Sequence, residues 1–327
     1  MSGVLVFVEH TGGEPDRLSR EALAFAARLV GSLGGDVEAA LFGPGAEGAA
    51  QRLQADGVRT AHVIDDDRLA AYAPAAWGVA LGELIVAQAP DAVVAGGSDR
   101  GNEVLAHVAA RSSRPMVANV VEATPGTPWR LTRQRWAGSL LEDAELESDL
   151  PLLTVAPHVV AVAADAGTVD AVTVARFGPS VEERDLVGQM TGREAPEAGG
   201  VSLVDARVVI GGGRGVGSAE AFATLQELAD LLGGAVGGSR VVTSAGWRPH
   251  SDQIGQTGLR IAPDLYVACG ISGAIQHIVG CKAAKRILAI NKDSDSPIMG
   301  VADYAVIGDL HQVVPAIRAE IWRRASA

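Results

Sequence analysis

Lysine is scarce in this chain: three of its 327 residues are Lys, at positions 282, 285 and 292, and the other basic side chains are arginines. Positive charge as a whole is in deficit, with 27 Lys+Arg against 39 Asp+Glu and a formal net charge of −12. Nucleic acid held through phosphate contacts needs the opposite balance, so the composition argues against that partner. Cysteine is equally sparse. Cys269 and Cys281 are too few for a disulfide framework and have neither C-x-x-C nor His-rich metal spacing, so both read as buried free thiols. Also missing is any run of about 18 uninterrupted apolar residues, which argues against direct membrane insertion. The first strand-like stretch, VLVFVEH from Val4, has no basic segment and no cleavable apolar stretch before it. The expectation is a soluble, unexported, cytoplasmic protein.

Apolar residues, in contrast, make up 48% of the chain and charged ones 20%, over a length that favours two domains. Charge is unevenly placed: residues 1–200 carry 15 Lys+Arg against 28 Asp+Glu (−13), and residues 201–327 carry 12 against 11 (+1). The near-neutral second region can accommodate an anionic ligand, while the acidic first region also reads simply as a solvated surface.

Short apolar runs at 4–8, 37–42, 60–64 and 92–96 alternate with helical patterns such as RLSREALAFAARLVGSL, where Ala22, Phe25, Ala26, Leu29 and Leu33 share a face. Such alternation predicts βαβ units and a mostly parallel sheet. RLTRQRWAG, PLLTVAP and DAVTVARF follow without long helices between them, which predicts antiparallel pairs late in this sheet. From Gly178 to Ser202, Gly, Pro and charge mix without periodicity, as in an interdomain linker. A second α/β series then runs through strands RVVIG, DLYVACG, RILAIN and ADYAVIG, with helices SAEAFATLQELADLLGG, SGAIQHIVG and a closing one from Leu310. The expected fold class is α/β, with two domains that each hold a mostly parallel sheet flanked by helices. Their boundaries are placed at 1–187 and 205–327, joined by a linker at 188–204.

Open parallel sheets bind ligands beyond the carboxyl ends of their strands, and three such ends here carry GGGRGVGS, GISG and NKD. GGGRGVGS fails the G-x-G-x-x-G dinucleotide test in every register, since the sixth residue from Gly211 is Val216 and that from Gly213 is Ser218. Its glycines still permit close approach of backbone to a ligand, and Arg214 offers a fork of donors to phosphate. After Gly270, Ser272 reads as the N-cap of a helix whose free N–H groups suit an anion. On that helix Ile275, Ile278 and Val279 share a face and His277 lies opposite, directed to solvent or to a ligand.

Taken in order, GGGRG, GSR (Gly238–Arg240), QIGQTG (Gln253–Gly258), PDLYVACGISGAIQH, ILAINKD and VADYAVIGDLHQVVP resemble the FAD domain of the electron-transfer flavoprotein alpha subunit family. The resemblance spans nearly all of residues 205–317; residues 1–200 are similar to the family's first domain in architecture and size only. It implies a Rossmann-like FAD-binding domain and an electron carrier without substrate turnover of its own. The implied partner is a beta subunit, which carries AMP or, in bifurcating relatives, a second flavin. Flavin dehydrogenases such as those for acyl-CoA supply the electrons, and a membrane quinone oxidoreductase receives them.

Carried over by position, Arg214 and Ser239 are implied FAD contacts near the pyrophosphate, and Arg240 is the cation beside the isoalloxazine ring. Ile254, Gly255, Gln256 and Thr257 match the loop along the flavin, with the Thr257 hydroxyl facing N5. Ser272, Gly273, Ala274, Ile275, Gln276 and His277 match the loop and helix start, with His277 directed to the pyrimidine carbonyl. Asn291, Asp309 and Leu310 match the adenosine side. A departure is Thr243-Ser244, where relatives often carry an acidic residue. Reduction puts negative charge on the pyrimidine end of a flavin, so a guanidinium and an imidazole that readily becomes imidazolium would raise its potential. Two other readings are an electron-bifurcating or nitrogen-fixation-type flavoprotein subunit and a non-redox ADP- or NAD-binding domain. The failed fingerprint at Gly211 weighs against NAD.

Overall fold

The structure is a computed structural model and describes residues 3–138, 140–162, 169–192 and 201–325. The chain separates into two compact units, Met1–Arg193 and Glu194–Ala327. In the first, β1 (Val4–Val8), α1 (Arg17–Leu33), β2 (Val37–Leu41), α2 (Ala46–Gln51), β3 (Val58–Ile64), α3 (Pro74–Gln88), β4 (Ala92–Gly96) and α4 (Asp99–Ser112) alternate. β5 (Met116–Thr124), β6 (Trp129–Arg135), β7 (Leu140–Leu146), β8 (Leu152–Val155) and β9 (Thr173–Phe177) follow. They form one sheet in the order β9-β3-β2-β1-β4-β8-β5-β6-β7. Val4, Val6 and Val8 of β1 pack with Ala22, Phe25, Ala26 and Leu29 of α1. Leu5 and Phe7, on the opposite face, join Trp77 and Leu81 of α3 and Val104 and Leu105 of α4. Helices cover both faces, which is why β1 is apolar at every position instead of alternating.

Antiparallel pairing does occur late in this sheet, at β5–β6 and β6–β7. β8, however, runs parallel between β4 and β5, and β9 returns to lie parallel to β3 at the far edge. Of the linker expected at 188–204, residues 193–200 lie outside the described residues. Its start is tied to the first unit: Gln189 Nε2 donates to the Arg68 carbonyl (2.9 Å) and the Met190 amide to the Tyr72 carbonyl (2.8 Å).

The second unit comprises β10 (Val208–Gly212), α5 (Phe222–Leu231), β11 (Ala235–Gly238), α6 (Arg240–Ser244), β12 (Leu265–Cys269), α7 (Ile275–Cys281), β13 (Ile287–Asn291), β14 (Tyr304–Ile307) and α8 (Leu310–Ala325). Its five strands are all parallel, in the order β11-β10-β12-β13-β14. One face carries Phe222, Leu225 and Leu228 with Leu310 and Val314; the other carries Ile254, Ile261 and Cys281. Cys269 and Cys281 are both buried free thiols, as their sequence context predicts. Strand order reverses between β10 and β12, and that switch point is where open α/β sheets form a ligand crevice.

At the switch point the loops after β10 and β12 touch. The Gly213 amide donates to the Cys269 carbonyl (2.9 Å) and the Gly215 amide to the Gly270 carbonyl (3.0 Å). A Cβ on Gly213 would lie 2.3 Å from the Gly270 carbonyl oxygen. Glycine is therefore required here by the neighbouring loop before any ligand is considered. Gly213→Ala is expected to lower unfolding stability by about 1–3 kcal/mol through overpacking, measured by urea or thermal melts. An unchanged midpoint would contradict this contact.

Candidate functional site

The carboxyl ends of β10, β11, β12 and β13 open on one cavity of about 940 Å³, near the top of the range for small-molecule sites. Arg214 lines it from the loop after β10, and Ser239 and Arg240 from the start of α6. Ile254, Gly255, Gln256 and Thr257 line it from a loop, Ser272, Gly273 and Ala274 from the segment after β12, Gln276 and His277 from α7, and Asn291 from the end of β13. Three expected residues lie outside this lining. Ile275 is 71% exposed on α7. Asp309 caps α8, accepting from the His311 amide (3.0 Å), and pairs with Lys292 Nζ (3.0 Å); the ammonium and the amide hold its carboxyl below the usual carboxylate range. Leu310 is buried in the core with Val314.

Other lining residues carry little sequence signal, Gln253 foremost. It is 2% exposed, and its Nε2 donates to Thr257 Oγ1 (2.9 Å) while its Oε1 accepts from the Thr243 hydroxyl (2.8 Å). Thr243 thus braces the loop that carries Thr257. Gln253 has neither a periodic nor a compositional cue; its only signal is its place at the head of QIGQTG. The loop is locked to α7 and β11: the Ile254 amide donates to the Gly238 carbonyl (2.8 Å) and the Gln256 amide to the Gln276 carbonyl (2.7 Å). Thr257 and His277 are consequently held on one framework.

Two helix-start expectations are corrected. α7 begins at Ile275 with Ala274 at the N-cap, not at Ser272. The Ser272 carbonyl instead accepts from the Ile298 amide (3.0 Å) and the Ser296 hydroxyl (3.1 Å). Ile275 and Gln276 are exposed on α7, whereas His277 is 6% exposed, on a buried face with Val279 and Cys281. Of the face expected from Ile275, Ile278 and Val279, Val279 is buried, Ile278 is half-buried and Ile275 is exposed, while His277 turns inward and lines the cavity. The cause is a partner: Tyr266 Oη lies 2.7 Å from His277 Nε2, so the ring can be buried with one nitrogen satisfied. Burial pushes the imidazole down to about 4, opposed by the nearby Ile254 backbone, so His277 is neutral at pH 7 and not the readily formed imidazolium expected. Its Nδ1 is buried without a hydrogen-bond partner.

Positive charge in the cavity comes from Arg214 and Arg240, both exposed and without an ion-pair partner among the described residues. Asp293 is the one carboxylate in the lining. The Ser239 hydroxyl makes no capping bond to α6. Asn291 is engaged: its Nδ2 donates to the Ile271 carbonyl (2.9 Å) and to Ser296 Oγ (3.2 Å), and its Oδ1 accepts from the Asp293 amide (3.1 Å). Unpaired guanidiniums, uncommitted hydroxyls and an unsatisfied imidazole nitrogen form a donor set that fits a dinucleotide with a carbonyl-rich ring and two phosphates.

The pKa of His277 is depressed on folding, so the unfolded chain binds the extra proton between pH 6.5 and 4. Stability from this group is complete above about pH 6.5 and falls as pH drops toward 4, by roughly 3 kcal/mol. Chemical unfolding at pH 7 and pH 4 should therefore show a smaller acid loss for His277→Asn than for the wild type. Equal losses in the two proteins would contradict a buried neutral imidazole.

Residues 202–282 match the electron transfer flavoprotein FAD-binding domain and residues 4–177 the electron transfer flavoprotein domain. The chain is 35% identical over 329 residues to the electron transfer flavoprotein subunit alpha of Mycobacterium leprae, covering 99% of each. It is 33% identical to the subunit alpha of Thermoanaerobacterium thermosaccharolyticum (97% of each) and 34% identical to Protein FixB of Clostridium saccharobutylicum (97% of this chain, 96% of that one). The chain belongs to the electron transfer flavoprotein alpha subunit family, whose second domain binds a flavin.

Proposed function

We propose that this chain is the alpha subunit of a heterodimeric electron-transfer flavoprotein that holds FAD in the cavity of its second unit. FAD supplies the redox chemistry, accepting and releasing electrons. Those electrons come from flavin dehydrogenases, such as the acyl-CoA dehydrogenases of fatty acid beta-oxidation, and go to a membrane quinone oxidoreductase. The beta subunit completes the heterodimer and carries AMP. The chain is a carrier, with no substrate turnover of its own. One observation carries this reading: Arg240, Thr257 and His277 line the same cavity.

Arg214 and Ser239 would hold the pyrophosphate, the first through its fork of donors and the second through its uncommitted hydroxyl. Arg240 would supply fixed positive charge beside the ring, since a guanidinium stays protonated at any relevant pH. Donation from Gln253 to Thr257 Oγ1 occupies a lone pair of that hydroxyl and leaves its proton to donate to flavin N5. His277 would act as a neutral donor toward the pyrimidine carbonyl. Gly255 and Gln256, with the segment Ser272–Gln276, would shape the ring's bed. Asn291, Asp309 and Leu310 are assigned to the adenosine side by the family resemblance.

The second reading, a bifurcating or nitrogen-fixation-type subunit, has in its favour the similarity to Protein FixB. It assigns the same roles to these residues and differs by a second flavin on the partner chain. Flavin content per heterodimer, measured by absorbance, separates the two.

The complex co-produced with its beta partner should purify yellow, with a flavin spectrum; a colourless intact heterodimer would overturn the proposal. In that complex Arg240→Ala is expected to lower the flavin reduction potential while leaving folding nearly intact. An unchanged midpoint potential would show that this cation is misplaced. Thr257→Ala should have a smaller effect, about 0.5–1.5 kcal/mol, the worth of one hydrogen bond.

A further inference from the structure

Behind the imidazole stands a phenol that the family comparison leaves unassigned. Tyr266, in β12, is completely buried, and its Oη makes its hydrogen bond to His277 Nε2. Room for it comes from Gly211, where a Cβ would sit 2.1 Å from Oη. His277 lines the cavity and is 94% buried (6% exposed), and its other nitrogen, Nδ1, has no partner. We propose that Tyr266 is a positioning residue that donates its hydroxyl proton to His277 Nε2, fixing a neutral Nδ1–H tautomer that presents a donor to a ligand carbonyl. The identity of that ligand as FAD rests on the proposed function; the tautomer does not.

Two arrangements of the shared hydrogen bond exist, because a neutral imidazole carries one ring proton. If Nε2–H donated to the phenol, the Tyr266 O–H would be a buried donor with no acceptor, and Nδ1 would be a bare lone pair. A lone pair facing a ligand carbonyl sets acceptor against acceptor. If the phenol donates, a single group remains unsatisfied, Nδ1–H, and a carbonyl oxygen satisfies it. The phenol retains its proton because burial, with the Cys281 and Cys269 thiols close by, pushes its pKa well above 10. The hydrogen bond to one ring nitrogen therefore dictates the role of the other. No proton or electron changes hands in this step.

The test is ring ¹⁵N NMR of histidine-labelled protein, without and with FAD, with His277 assigned by the signals lost in His277→Asn. Wild type is expected to show a pyrrole-type Nδ1 and a pyridine-type Nε2 before any flavin is added. Tyr266→Phe, which keeps the ring volume, should move the population toward Nε2–H and weaken FAD retention by roughly two- to tenfold. A wild-type Nε2–H tautomer overturns the proposal, and this reading needs no variant to fold. Bound FAD with an unchanged tautomer in Tyr266→Phe overturns the positioning role alone. The expected tautomer in a chain that takes up no FAD supports the positioning role and removes the flavin reading instead.

Discussion

Five parallel strands that end on the same side determine where the second unit can hold a ligand. Each strand end delivers one loop to that side, and the loops are fastened to one another before any ligand arrives. Gly213 and Gly215 bond to the turn after β12, Ser239 to the Gly212 carbonyl (3.0 Å), and Ile254 to the Gly238 carbonyl. Backbone pairing of this kind leaves the side chains of Arg214 and Arg240 free of structural duty. A cavity so built is preorganised, so binding orders few groups afresh.

Charge in the cavity is divided between two kinds of donor. The guanidiniums stay at the exposed rim, where carrying charge costs little. The imidazole is buried and neutral, because desolvation makes its charged form expensive by roughly 3 kcal/mol relative to the open chain. A cavity with guanidiniums at its rim and one buried neutral imidazole differs from the guanidinium and imidazolium that the family resemblance implied. The positive charge then resides in Arg214 and Arg240, and His277 offers a directional polar group. Gln253 plays a parallel part for Thr257, orienting a hydroxyl through its own amide.

Much of this was legible in the residue pattern, for reasons that can be named. The strands β10, β12, β13 and β14 are short apolar runs bounded by glycine or charge, and α8 starts at Leu310 as read. Arg214 and Ser272 stood out in their loops, while Arg240, the 254–257 loop and the rest of the 272–274 segment came from the resemblance carried by GSR, QIGQTG and GISGAIQH; all meet in one cavity. Illegible were β5, whose MVANVVEAT is interrupted by Asn119 and Glu122, β11, whose AVGG is masked by its glycines, and β7, whose LLEDAEL is too charged to resemble a buried strand. β7 is an edge strand facing solvent, so it needs little apolar character. The buried face of α7 was misread because a seven-residue helix samples too few turns for periodicity to decide. What decided it was Tyr266, a long-range partner that no local window contains.

The central claim is that one set of strand ends holds the reactive ring, and a crystal structure of the complex co-produced with its beta partner tests it most directly. The account predicts density for an isoalloxazine ring whose edge is within hydrogen-bond or ion-pair distance of Arg240, Thr257 and His277 together. Density for the ring elsewhere on the chain, or a ring touching none of these three, would contradict it.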